Sequence, residues 1–221
     1  MDAEVREVER VQGACGELVL RTDGRHHEIV ANGTFLMDDR DGRSERLLAR
    51  APLDLVARPA HVLIGGLGVG TTLREALSHP RAARVTVVEV EPAVVRWNRE
   101  LLGGAGALDD PRTVLVVGDL LEHLATTGAT YDAVCLDVDN GPDWTVVPGN
   151  ARLYEPQGLA LVRRVLAPGG VLAVWGAARA PAYEALLART GEVAVHEVPV
   201  ARGEPDVVLV VRAGGGGPRG G

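Results

Sequence analysis

Cysteine is nearly absent from this 221-residue sequence: Cys15 and Cys135 are the only two. They stand far apart, and Cys135 lies inside an apolar run. That rules out a disulfide framework and zinc-ligand spacing, so no metal site is expected and the chain reads as reduced and cytoplasmic. Aromatic residues make up 3% while hydrophobic residues make up 46%, so the core must be built mainly from Val, Leu and Ala. Basic residues are not in excess either. Lys and Arg number 23 against 30 Asp and Glu, a formal net charge of −7, which argues against a nucleic-acid partner bound through its phosphates. No apolar N-terminal segment and no long apolar span are seen, so neither secretion nor a membrane partner is expected.

What is present is a repeated alternation. Residues 16–37 read as short β segments ("GELVLRT", "HHEIVANG", "TFLM"), and residues 43–57 read as a helix. From His61 onward, Val-rich runs alternate with amphipathic stretches: "HVLIGG", "RVTVVEV", "TVLVVGD", "YDAVCLD", "GVLAVWG", "EVAVHEVPV" and "DVVLVVRA". Uninterrupted runs of this kind suit parallel strands covered by helices on both faces. The expected fold is α/β: a doubly wound, mostly parallel, seven-stranded Rossmann-like sheet behind a short N-terminal β region. The last two runs are joined by too few residues for a helical crossover, so the final strand is expected to be antiparallel. The expected division is a β-hairpin region over 1–42, a nucleotide-binding domain over 43–212 and a disordered Gly-rich tail over 213–221.

In such sheets a ligand sits beyond the carboxyl ends of the strands. The first strand is followed by "GGLGVGTT", in which Gly66, Gly68 and Gly70 let the backbone approach a ligand before a helix begins. No Lys-Ser/Thr closes this loop, which excludes a Walker-type site. The second strand ends at Glu89, about 20 residues further on, where a carboxylate suits ribose hydroxyls. The third ends in Gly118-Asp119, whose acid either meets an adenine amino group or caps the following helix. The fourth runs into "CLDVDNGPDW", with Asp137, Asp139 and Asp143 around a Gly-Pro turn. Together these ends favour an adenosine-type ligand without a pyrophosphate. A dinucleotide is the fold-level competitor.

The segments "VLIGGLGVGTTLREAL", "RVTVVEVEPAVV", "DDPRTVLVVGDLLEHL", "YDAVCLDVDNGP" and "LYEPQGLALVRRVLAPGGVLAV" occur in order between about residues 31 and 175. In these the sequence resembles the spermidine synthase family, a branch of the class I S-adenosylmethionine-dependent transferases. The resemblance implies a ribose-binding role for Glu89 with Val90 beside the adenine. It also implies adenine-amino recognition at Asp119, with Leu120 next to it, and an active-site aspartate at Asp137. Tyr154 falls at an aromatic position near the substrate. The family's front β region pairs across a two-fold axis, so a homodimer is expected. Departures accompany the match. Val69 replaces the loop aspartate that binds the ammonium of decarboxylated S-adenosylmethionine, and Asn140 replaces a second aspartate. The Tyr-His pair near the polyamine stands as Ser44-Glu45, and the usual Gln is Phe35.

Val69 directs the reading to methyl transfer from S-adenosylmethionine to a small amine-bearing acceptor. Asp137 and Asp139 are the expected catalytic carboxylates, with burial or the second raising the pKa of the first. Glu45, Asn140, Trp144 and Tyr154 are the expected acceptor contacts. The alternatives are aminopropyl transfer from decarboxylated S-adenosylmethionine, another aminocarboxypropyl transfer or cyclisation, and a catalytically degenerate nucleotide-binding or structural protein.

Overall fold

The computed structural model describes residues 5–213 apart from residue 202. Nearly all of the Gly-rich stretch from Ala213 lies outside them. The chain opens with four antiparallel strands in sequence order, β1 (Arg6–Gly13), β2 (Gly16–Thr22), β3 (His27–Ala31) and β4 (Thr34–Asp38). Helix α1 (Arg43–Leu55) then leads into the main sheet. That sheet is built from β5 (Ala60–Gly65), β6 (Ala82–Glu89), β7 (Thr113–Val117), β8 (Tyr131–Leu136), β9 (Leu166–Gly176), β10 (Val193–Val198) and β11 (Asp206–Arg212). The connecting helices are α2 (Thr71–Ser78), α3 (Pro92–Glu100), α4 (Ala105–Leu108), α5 (Leu120–Thr126), α6 (Pro156–Val165) and α7 (Pro181–Ala188).

The strand order is β10-β11-β9-β8-β5-β6-β7, and only the two contacts of β11 are antiparallel. The chain runs outward from β5 to β6 and β7, then returns to place β8 on the other side of β5. The loops after β5 and β8 therefore diverge, which is where an open α/β sheet takes its ligand. The front region is a full four-stranded sheet, where a hairpin region was expected. Its first strand, "REVERVQG", gives little signal because the charged residues outnumber the apolar pair Val8 and Val11 that packs inward.

The two faces of the main sheet carry separate cores. Leu18, Leu20, Ile29 and Ala31 of the front sheet join Leu48, Leu53, Leu73 and Trp97 against one face, while Leu124, Leu159, Val162 and Leu187 cover the other. Within α1, Pro52 lacks an N–H and leaves the Leu48 carbonyl without its helical donor. The buried Cys135 thiol of β8 donates to that carbonyl at 3.4 Å, which accounts for a cysteine in an otherwise aliphatic strand.

Two carboxylates fasten the front sheet to the main one. Glu9 of β1 accepts from Arg96 at 2.5 Å and from the Trp97 indole N–H at 2.7 Å, both on α3. Glu91, just after β6, accepts from the Ala14 and Cys15 amides at 2.8 and 2.7 Å, gripping the turn between β1 and β2.

Candidate active site

A cleft with about 1030 Å³ of space free of atoms, part of it open to solvent, lies where the loops diverge. The front sheet supplies one wall through Cys15, Glu17, Leu36 and Met37. The strand ends and the loops and helices that follow them supply the rest. Of the expected cofactor positions, Gly66, Gly68, Glu89, Val90, Asp119 and Leu120 all line it, as do Asp137 and Asp139.

Gly66 is required by its surroundings. Its φ is +91°, and a Cβ there would come within 2.0 Å of the Asp137 carbonyl oxygen. The Asp137 amide in turn donates to the Gly65 carbonyl at 2.8 Å, so the glycine loop and the aspartate are locked together. Gly70 does not line the cleft; at φ +81° it turns the chain into α2.

Glu89 is buried, and its carboxylate accepts from the Leu67 and Glu91 amides, both at 2.8 Å. Burial pushes its pKa up and these amides pull it back. Glu89 thus ties the glycine loop to its own turn while facing the cleft. Asp119 caps α5, one oxygen accepting from the Glu122 amide at 2.8 Å, and the residue also lines the cleft.

Asp137 is 8% exposed. The Thr72 hydroxyl donates to its Oδ2 at 2.7 Å, and its Oδ1 has no protein partner among the described residues. Burial, then the charge of Glu45, pushes its pKa up to about 7, with Asp206 and Glu89 adding to the rise and Thr72 opposing it. A carboxyl that gains and loses its proton near neutrality suits general-base work.

The other acceptor positions fare differently. Asp139, at φ +59°, accepts from the Val146 and Val147 amides at 3.0 and 3.2 Å and from the Asn150 side chain at 2.7 Å. Its oxygens are engaged by its own loop, which it organises, while the residue also lines the cleft. Asn140 is buried outside the cleft, where its carbonyl accepts from the Ala177 amide at 3.0 Å. Trp144 is 56% exposed and contributes nothing to the cleft wall. Tyr154 is a core residue: its hydroxyl donates to the Val138 carbonyl at 2.7 Å and its ring meets Tyr183 edge-on. Glu45 lies outside the cleft wall, and the Ser44 hydroxyl sits 2.8 Å from it and 2.7 Å from Asp206.

Thr72, Glu91 and Asp206 went unnoticed in the sequence. Thr72 could have been suspected from its place at the start of the helix after the glycine loop. Asp206 meets Ser44 across 162 positions, and no local pattern signals such a contact.

The cleft wall carries Glu17, Glu89, Glu91, Asp119, Asp137 and Asp139, and no Arg, Lys or His among the described residues. Val69, on which the expectation of methyl transfer rested, is 3% exposed in the core and does not face this space.

Compared with known proteins, residues 43–215 match the spermine/spermidine synthase domain. Polyamine aminopropyltransferase 2 of Streptomyces coelicolor is 37% identical over 171 residues, 74% of this chain and 30% of that protein. Polyamine aminopropyltransferase 1 of Hyperthermus butylicus is 32% identical over 163 residues, 70% of this chain and 53% of that one. The chain thus spans about half or less of the length of these relatives. A spermidine synthase crystallised with the transition-state analogue AdoDATO superposes with a TM-score of 0.80 at 19% identity, covering 96% of this chain and 75% of that one. Spermidine synthase from Thermotoga maritima superposes at 0.76 and 19%, covering 96% and 74%. These likenesses establish the fold. The names of the relatives overturn the expectation of methyl transfer: they are aminopropyltransferases.

Proposed function

Because the chain belongs to the spermine/spermidine synthase family, we propose that it is an aminopropyltransferase, moving the aminopropyl group of decarboxylated S-adenosylmethionine to an amine. The observation that carries this reading is a largely apolar cleft wall whose charged side chains are all acidic. Intact S-adenosylmethionine brings a carboxylate, which would find no cation there. The decarboxylated nucleoside brings a sulfonium and an ammonium, and both are favoured by a low-dielectric, anionic surround.

In this reading Glu89 meets the ribose hydroxyls and Asp119 the adenine amino group. The amine nitrogen attacks the propyl carbon bonded to sulfur. The C–N bond forms as the C–S bond breaks, the electron pair returns to sulfur as a neutral thioether, and the nitrogen loses a proton. Asp137 Oδ1 takes that proton, while Thr72 holds Oδ2 and fixes the carboxylate in place. Glu45 and Asp206 extend the negative potential beyond Asp137 toward the start of α1, which favours a cationic acceptor.

The test is direct: the protein is incubated with decarboxylated S-adenosylmethionine and a diamine, and the products are followed by mass spectrometry. Formation of 5′-methylthioadenosine together with the aminopropylated amine supports the reading. A protein that consumes only intact S-adenosylmethionine would overturn it.

A further inference from the structure

Helix α3 lies behind the glycine loop and contributes no residue beyond Val94 to the cleft wall. Its Asn98 is nevertheless fully buried, with a bonding pattern that packing alone does not explain. The Asn98 amide nitrogen donates to the Gly68 carbonyl at 2.7 Å and to the Val94 carbonyl at 2.9 Å. Its Oδ1 is buried without a donor. A Cβ at Gly70 would come within 2.5 Å of that oxygen and one at Gly104 within 2.7 Å, so glycines clear the space the amide occupies.

Leaving an amide oxygen buried and unpaired is unfavourable. The opposite amide orientation would set that oxygen against two carbonyls and free the Gly68 carbonyl. The molecule thus tolerates an orphan acceptor in order to hold Gly68. Because a peptide unit is planar and trans, a held Gly68 carbonyl also fixes the direction of the Val69 N–H. Neither the Gly68 nor the Val69 N–H has a protein partner among the described residues, and Gly68 forms part of the cleft wall. The neighbouring residue, Trp97, reaches from the same turn of α3 to Glu9 of the front sheet.

We propose that Asn98 is a positioning residue for the nucleoside: it holds Gly68, the loop residue that lines the cleft, where it meets the ligand. This rests on the cleft being a nucleoside site, as proposed above. The role differs from core packing in what its removal changes. A packing residue governs thermal stability. A positioning residue governs affinity even when the fold is intact.

The experiment measures binding of 5′-methylthioadenosine by calorimetry to the unsubstituted protein, Asn98→Leu and Asn98→Ala, at a temperature at which melting curves show each folded. Asn98→Leu nearly conserves volume and removes both the donor and the orphan oxygen. About a tenfold loss of affinity is expected in both variants, with KM for the amine acceptor within twofold of the unsubstituted value. Asn98→Asp adds a pH readout. Its carboxyl donates to Gly68 only when protonated, so affinity relative to the unsubstituted protein at the same pH should recover as pH falls. Unchanged affinity in both Asn98→Leu and Asn98→Ala would overturn the proposal. Absence of binding to the unsubstituted protein would overturn the nucleoside reading itself, and the positioning role with it.

Discussion

At the residue scale the molecule turns on Asp137, a buried carboxylate with one oxygen held and one free. Asp137→Asn keeps the shape and the Thr72 contact but cannot accept a proton. Transfer should fall by roughly 10²-fold or more, the range for loss of a general base, while 5′-methylthioadenosine affinity stays within about threefold. In the unsubstituted protein kcat/KM should rise with pH and level off above about 7, the value to which burial lifts this carboxyl. The same shift bears on stability. Between its ordinary value of 3.8 and about 7 the folded protein holds a proton that the unfolded chain has released, so stability is lost as pH rises through that window. Asp137→Asn removes the charge that causes the loss. Its Tm at pH 8 should exceed that of the unsubstituted protein by a few degrees, since about 1 kcal/mol corresponds to 2–4 °C at this chain length. Lower activity with a higher melting point is the paired outcome to look for. Asp137, Glu89 and Asp119 were legible in the sequence because strand ends are easy to find and acids there are conspicuous. Val69 was misleading: its number in the loop could be read, but the direction of its side chain, into the core, is a product of the fold.

At the element scale the far end of the loop from Asp139 to Asn150 is tied back by the Asp139 side chain. Asp139→Ala frees the Val146 and Val147 amides and the Asn150 side chain together. Hydrogen exchange over residues 146–150 should quicken and the acceptor KM should rise severalfold, while nucleoside affinity is unaffected because Glu89 and Asp119 lie on other strands. An unchanged exchange rate would remove this role from Asp139. The helices and central strands were readable because Val and Leu runs and amphipathic spacing reflect burial directly. Trp144 and Tyr154 were not, since an aromatic residue in a loop carries no mark of the side it faces. One proved exposed and the other became core.

For the whole molecule, the cleft exists because two sheets meet, and Glu91 and Glu9 hold them together. Glu91→Ala leaves the Ala14 and Cys15 amides without their acceptor. Exchange at the β1–β2 turn should speed up, and nucleoside affinity should fall by roughly three- to tenfold as that wall loosens, provided Tm shows the main sheet intact. Glu91 spans 77 residues to reach that turn, which is why the sequence alone showed it only as the second acid of a strand end. The net charge of −7 acts over longer range. Raising salt from about 20 to about 300 mM should lower kcat/KM for a diamine severalfold by screening its approach, with a smaller effect on kcat.

The self-contained bonding of Asp139 has a consequence for engineering. Asp139 fixes the loop from within, while Asn140 and Gly141 seat its first residues against the end of β9, so the stretch beyond that seat is the exchangeable part. Grafting a different sequence between Gly141 and Pro148, with Asp139, Asn140, Gly141 and Asn150 kept, offers a way to vary acceptor choice in the proposed reaction while the opposite wall of the cleft stays as it is.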